Sequence, residues 1–253
     1  MSATSIAEKF EVIADAVYEA GQKSEYDRFW DEFQQNGNRT NYSAAFSALW
    51  TAEIFKPKYP IRPINAYFMF FNNQGYGIHI LDFVQFCKEN NVVLDYSQCT
   101  NAYYGISCLR SQHYGVLDFS KCTTMNGLFY AQNSGDTRYS VRKIDEFISS
   151  EITKFANDTF SGAIWLTDIK MSGVVATSIN FGVCPLNKQS LESVIGVLLK
   201  TATGQTLTLK KSAVDAAFET SDGANDGSSS TDWIDLITEY SNQYNGNWTI
   251  SLV

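Results

Sequence analysis

Histidine and proline are scarce in this chain, with two and four residues respectively among 253. The histidines, His79 in GYGIHI and His113 in SQHYG, have no partner at metal-ligand or triad spacing, and no GxSxG, HExxH or P-loop pattern occurs. That removes the motif-bearing hydrolases and nucleotide enzymes. Clustered positive charge is missing too: the formal net charge is −8, with lysine and arginine scattered, so a phosphate backbone finds no footprint. No run of 18 apolar residues is present, which excludes a membrane-spanning helix by sequence. Glu8 and Lys9 stand where the apolar stretch of a signal peptide would lie, so no export leader is expected. The five cysteines (Cys87, Cys99, Cys108, Cys122 and Cys184) are an odd number without a CxxC pair, against both a disulfide framework and a zinc site.

What is abundant is apolar and aromatic: 44% and 14% of the residues, enough for a folded core. A phrase occurs twice, VLDYSQCT at 93–100 and VLDFSKCT at 116–123, so its starts are 116 − 93 = 23 residues apart. A period of that size fits solenoids in which each unit contributes one strand to a shared parallel sheet. Leu94 and Leu117 are then expected one above the other, with Cys99 and Cys122 as a ladder of small buried thiols. Strands are expected at 92–96, 116–119, 143–147, 163–169 and 177–181, and a helix at 80–90 with Leu81, Val84 and Cys87 on one face.

Four segments follow: a helical module at 1–37, an aromatic and proline-bearing connector at 38–64, a repeat region at 65–184 and a cap at 185–253. In the first, Ser5 and Glu8 form a capping box, and Ile6, Phe10, Ile13, Val17 and Ala20 recur at four-three spacing, the seam of a helix that packs on a partner helix. Tyr26, Phe29, Trp30 and Phe33 share a second helical stripe, stopped at Gly37. Pro57, Pro60 and Pro63 favour an extended strut. The cap alternates a helix at 187–200, a strand at 205–210, helices at 212–218 and from 231, and a last strand at 248–252. The fold class expected is therefore α+β: a helical start, a short irregular leucine-rich-repeat-like β-solenoid and an α/β cap.

Two stretches, VYEAGQKSEYDRFWDEFQQNGNRTNYSAAFSALW at 17–50 and FKPKYPIRPINAYFMF at 55–70, resemble the leading module of leucine-rich-repeat-like (BspA-type) proteins encoded by tailed bacteriophages and prophages of gut Firmicutes. SLESVIGVLLKTATGQTLTLKKSAVDAAFETSDG and the final NWTISLV are similar to the closing module of the same proteins. The resemblance implies a non-enzymatic, virion-associated fibre, decoration or receptor-binding protein whose partners are a bacterial surface protein or glycan and other virion proteins. It carries no catalytic residue. Alternatives are a bacterial surface adhesin of the same repeat type, placed at the cell surface rather than on a virion, and an intracellular protein-interaction module.

From the residues themselves, tyrosine with nearby asparagine and serine has the composition of a contact surface, because a stiff amphipathic ring gives area at low entropic cost. Tyr103, Tyr104, His113, Tyr114 and Tyr130 are the candidate patch. Ile6, Phe10, Ile13, Val17 and Ala20 are the candidate oligomerisation seam, with a trimer favoured. No catalytic, cofactor or metal residue is singled out. Asp222, Asn225 and Asp226 depart from a calcium loop at Ala224 and Trp233 and read as an ordinary turn. Asp145 and Glu146, adjacent on a strand, are expected on opposite faces.

Overall fold

The computed structural model describes residues 25–46, 55–70, 78–130, 138, 140–218 and 248–253. The seam of Ile6, Phe10, Ile13, Val17 and Ala20, the turn at 222–227 and the helix expected from 231 lie outside the described residues.

The first helix, α1 (Glu25–Phe33), follows from the aromatic stripe: Trp30 is fully buried against Phe33 and Phe46, while Phe29 remains 41% exposed. Buried Gln34 fixes the helix to the connector, its amide donating to Tyr59 O at 2.8 Å and its carbonyl accepting from Tyr59 N at 2.9 Å. Tyr59 Oη also donates to Asp31 at 2.7 Å. After β1 (Ile78–His79), α2 (Phe83–Asn90) starts where the Asp82 carboxylate accepts from Gln85 N and ends at Asn91 in left-handed conformation. Because the cap is Asp82, Leu81 falls outside the helix and is 58% exposed; Phe83 is the buried contact instead.

Then come β2 (Leu109–Arg110), β3 (His113–Asp118), β4 (Lys143–Ser149), β5 (Asp168–Gly173) and β6 (Ile179–Phe181). The closing part holds α3 (Lys188–Gly196, capped by Asn187), β7 (Gln205–Leu209), α4 (Lys211–Ala217) and β8 (Trp248–Leu252). All pairings are parallel, in three small sheets ordered β1-β2, β3-β4-β5 and β6-β7-β8.

The expected leucine-rich-repeat-like β-solenoid is therefore corrected. The fold is α+β, with four helices among the described residues and three separate parallel sheets in place of one shared sheet. The two copies of the repeated phrase part company: Leu94 makes a lone parallel bridge to Ile61, whereas Leu117 lies in β3 opposite Phe147. Uneven spacing is the physical reason. Parallel bridges link Asn41, Asn65, Asn101 and Thr124, at steps of 24, 36 and 23 residues, so segments between them differ in length and their strands do not align. The stretch expected as a strand at 163–169 turns until Thr167, and β5 begins only at Asp168.

What the four bridged positions do repeat is a turn. In the turns beginning at Asn41, Asn65 and Asn101 the asparagine Oδ1 accepts the backbone N–H two residues on, from Ser43, Tyr67 and Tyr103, at 3.1, 3.1 and 3.2 Å. One residue further, Ala44, Phe68 and Tyr104 are left-handed (φ 51°, 52° and 52°), and Gly127 holds the corresponding position in the fourth turn (φ 58°). Neighbouring turns are joined by hydrogen bonds from Tyr42, Ala44 and Phe46 to Asn65, Tyr67 and Met69, and from Ala66, Phe68 and Phe70 to Asn101, Tyr103 and Gly105.

Inside, an aromatic spine runs from Phe46 to Phe181. Phe46 meets Phe55 and Phe70, Phe55 meets Phe86, Phe86 meets Phe83, Phe83 meets Tyr114, Tyr114 meets Phe129, Phe129 stacks on Phe160 at 5.4 Å, and Phe160 reaches Phe181 at 4.4 Å. Gly162 lets this stack close: a methyl there would sit 1.9 Å from Phe129 O. Phe160→Ala removes a fully buried ring that touches Phe129, Phe147, Phe155 and Phe181 and should cost about 3–5 kcal/mol in urea unfolding. Trp165→Ala, on a ring that is 40% exposed, should cost far less.

Candidate binding surface

The repeated turn places its third and fourth residues outward, and in the second and third turns both are aromatic: Tyr67 with Phe68, Tyr103 with Tyr104. Stacked backbones make stacked rings. Tyr67 and Tyr103 lie 5.2 Å apart and 15° from parallel; Phe68 touches Tyr103 and Tyr104 at 5.4 Å each; Tyr103 meets Tyr104 at 4.9 Å. Tyr130 extends the row, edge to face with Tyr104 at 5.4 Å. Gly127 is required for that extension, since a Cβ there would stand 2.6 Å from Tyr104 Cζ. Tyr67 is 38% and Tyr130 52% exposed, and Tyr103 and Tyr104 are half-buried. Burial first, then the Asp158 carboxylate, push the Tyr104 hydroxyl up from its ordinary range.

Three of the five residues expected in the patch, Tyr103, Tyr104 and Tyr130, are thus brought together. Tyr114 is not among them: it points inward from β3, fully buried, its hydroxyl donating to Leu109 O while its ring fills the spine. Tyr67 and Phe68 were missed as partners of Tyr103 because the two turns are 36 residues apart, outside the period set by the repeated phrase. The recurring Asn-Ala-aromatic-aromatic run (NAYF at 65–68, NAYY at 101–104) was the available signal.

His113 belongs to a different surface. Its Nδ1 lies 3.2 Å from Asp82 Oδ2 and its Nε2 2.9 Å from Asp145 Oδ1, and Lys143 Nζ reaches the same Asp145 oxygen at 3.1 Å. These partners are 31 and 32 residues away in sequence, beyond any motif spacing. Carboxylates only accept, so both contacts are hydrogen bonds only when the imidazole is protonated. Burial opposes that charge, but the bonds to Asp145 and Asp82 outweigh it and raise the histidine pKa above 6.5. Burial likewise opposes ionisation of Asp82 and Asp145, and their hydrogen bonds hold both below 3.8. With both ring nitrogens committed, His113 has no lone pair to accept a proton from a nucleophile.

Asp145 and Glu146 do not face opposite ways. The β4–β5 register shifts between Ile144 and Phe147, and both carboxylates are half-buried on the outer side, Asp145 on His113 and Glu146 on Lys170 at 2.8 Å. The thiols are in structural positions. Cys99 and Cys122 are fully buried and donate to Asn101 O at 3.4 Å and Thr124 O at 3.2 Å. The contact with Cys122 and burial push the Cys99 thiol well up, and burial pushes Cys87 up to about 12. No helix among the described residues is long and apolar enough to cross a membrane.

The stabilising effect of the raised His113 pKa is complete below 6.5 and disappears as pH rises through the folded-state value; that of Asp82 and Asp145 is complete above 3.8 and disappears as pH falls through their lowered values. His113→Asn should therefore cost on the order of 1 kcal/mol at about pH 5 and less at about pH 9, read as urea-midpoint differences from the unsubstituted protein. A cost independent of pH would show that the two contacts do not depend on the ring proton. No family model matches the chain, and no curated protein and no solved structure matches it.

Proposed function

We propose that this chain is a non-enzymatic adhesion protein carried on a tailed-phage particle, acting by holding its aromatic row against a host surface. The observation that carries the reading is the row itself: five touching rings, two of them more than a third exposed, set on a stack of hydrogen-bonded turns. Folding already orders these side chains, so contact costs little further entropy. The phage setting rests on the likeness of 17–50, 55–70 and the closing segments to phage-encoded proteins. A weak single contact becomes firm when several copies are fixed together, and the four-three seam of Ile6, Phe10, Ile13, Val17 and Ala20 is the element proposed to join three of them.

Mass spectrometry of purified particles should find the chain as a stoichiometric component; its presence in the lysate alone would reject the virion assignment. Removing residues 1–20 should convert an oligomer to a folded monomer by light scattering and weaken attachment to host cells by about a hundredfold through lost avidity. An unchanged mass would remove the seam from the account.

A further inference from the structure

Which ligand the aromatic row takes can be argued from its charge, spacing and hydroxyls, and this step rests on the adhesion reading above. A cage for a quaternary ammonium surrounds the cation with rings, each within about 6 Å of it. Here the ring centroids already lie 4.5–5.4 Å from one another, so no cation fits between them. Anionic ligands are disfavoured as well: the Asp158 carboxylate acts on Tyr104, and no lysine or arginine among the described residues stacks on the rings of the row. What the row offers is ring surface with phenol edges. The hydroxyls of Tyr67, Tyr103 and Tyr130 make no hydrogen bond among the described residues, and each can both donate and accept. Tyr130 has one ring neighbour there, Tyr104, and at 52% is the most exposed ring of the row.

We propose that the row binds an uncharged glycan, with the C–H face of one sugar stacked on Tyr130 and hydroxyls of successive sugars bonded to the phenol edges of Tyr103 and Tyr67. C–H groups carrying partial positive charge meet the negative ring face, and sugar hydroxyls replace the water on the phenols.

The test uses the full chain on immobilised neutral glucans, galactans and N-acetylglucosamine chains, with polygalacturonate and heparin as acidic polymers. At least one neutral polymer should retain the protein, and Tyr130→Ala should weaken retention about tenfold, the loss expected for one stacked ring. Tyr130→Phe should retain most of the binding, and Trp165→Ala, on an exposed ring that faces Arg142, should leave it unchanged. Retention by acidic polymers alone, or neutral retention indifferent to Tyr130→Ala, overturns the inference. If no polymer is retained yet attachment to host cells still depends on Tyr130, the glycan class falls and the adhesion reading stands. Loss of both dependences ends both.

Discussion

The backbone hydrogen bonds that tie one turn to the next are the constraint on which the rest of this protein depends. Alternate N–H groups of each turn donate to carbonyls of the following one, and the asparagine at the head of three turns satisfies an N–H that the turn would otherwise leave open. Keeping this geometry forces a left-handed residue at the same place four times, at about 1–2 kcal/mol for each non-glycine. Ala44, Phe68 and Tyr104 tolerate it because the inter-turn bonds, and for the aromatic pair the ring contacts, offset the strain. The inward residues of the same turns, Phe46, Met69, Phe70, Met125, Leu128 and Phe129, join the core. Inner packing and the outer aromatic row are thus two sides of one local conformation.

Two outward surfaces of contrasting chemistry result. The turn edge is aromatic, with hydroxyls at its rim. The outer face of the β3-β4-β5 sheet is zwitterionic, with His113, Lys143 and Asp145 in one cluster and Glu146, Lys170 and Ser172 in another. On the sheet, donors and acceptors are matched to each other. On the aromatic row the phenols of Tyr67, Tyr103 and Tyr130 have no hydrogen-bond partner among the described residues, and that difference is why the turn edge and not the sheet is read as the contact surface.

Short-range chemistry was legible in the sequence; long-range register was not. Gln205–Leu209 follows from alternation, Lys188–Gly196 from its amphipathic pattern, and Glu25–Phe33 from its aromatic stripe. The duplicated phrase misled because identical residues can begin different pairings: Leu94 has a single bridge and Leu117 a full strand. Tyr103 and Tyr114 are the same residue type, one facing out from a turn and the other in from a strand, and no composition argument separates them. The doubled outward residues at Asp145 and Glu146 accompany a register shift against β5, whose paired residues lie about 25 positions further along the chain. Asp82, His113 and Asp145 meet only because three elements lie side by side.

Every sheet in the described residues pairs strands in chain order and in parallel. Among the described residues no hairpin starts the fold; each strand pairs with residues more than 20 positions earlier in the chain, which slows formation and leaves one raw edge until the next segment arrives. Such a protein is suited to growth from the ribosome in one direction, with each newly emerged segment laid on the finished surface behind it. Trp248–Leu252, pairing along Gln205–Leu209 and bonding Leu199 O through the Trp248 indole, is laid down after β7 in this way. Synthesis interrupted shortly before it would leave β7 as an open template for a neighbouring chain.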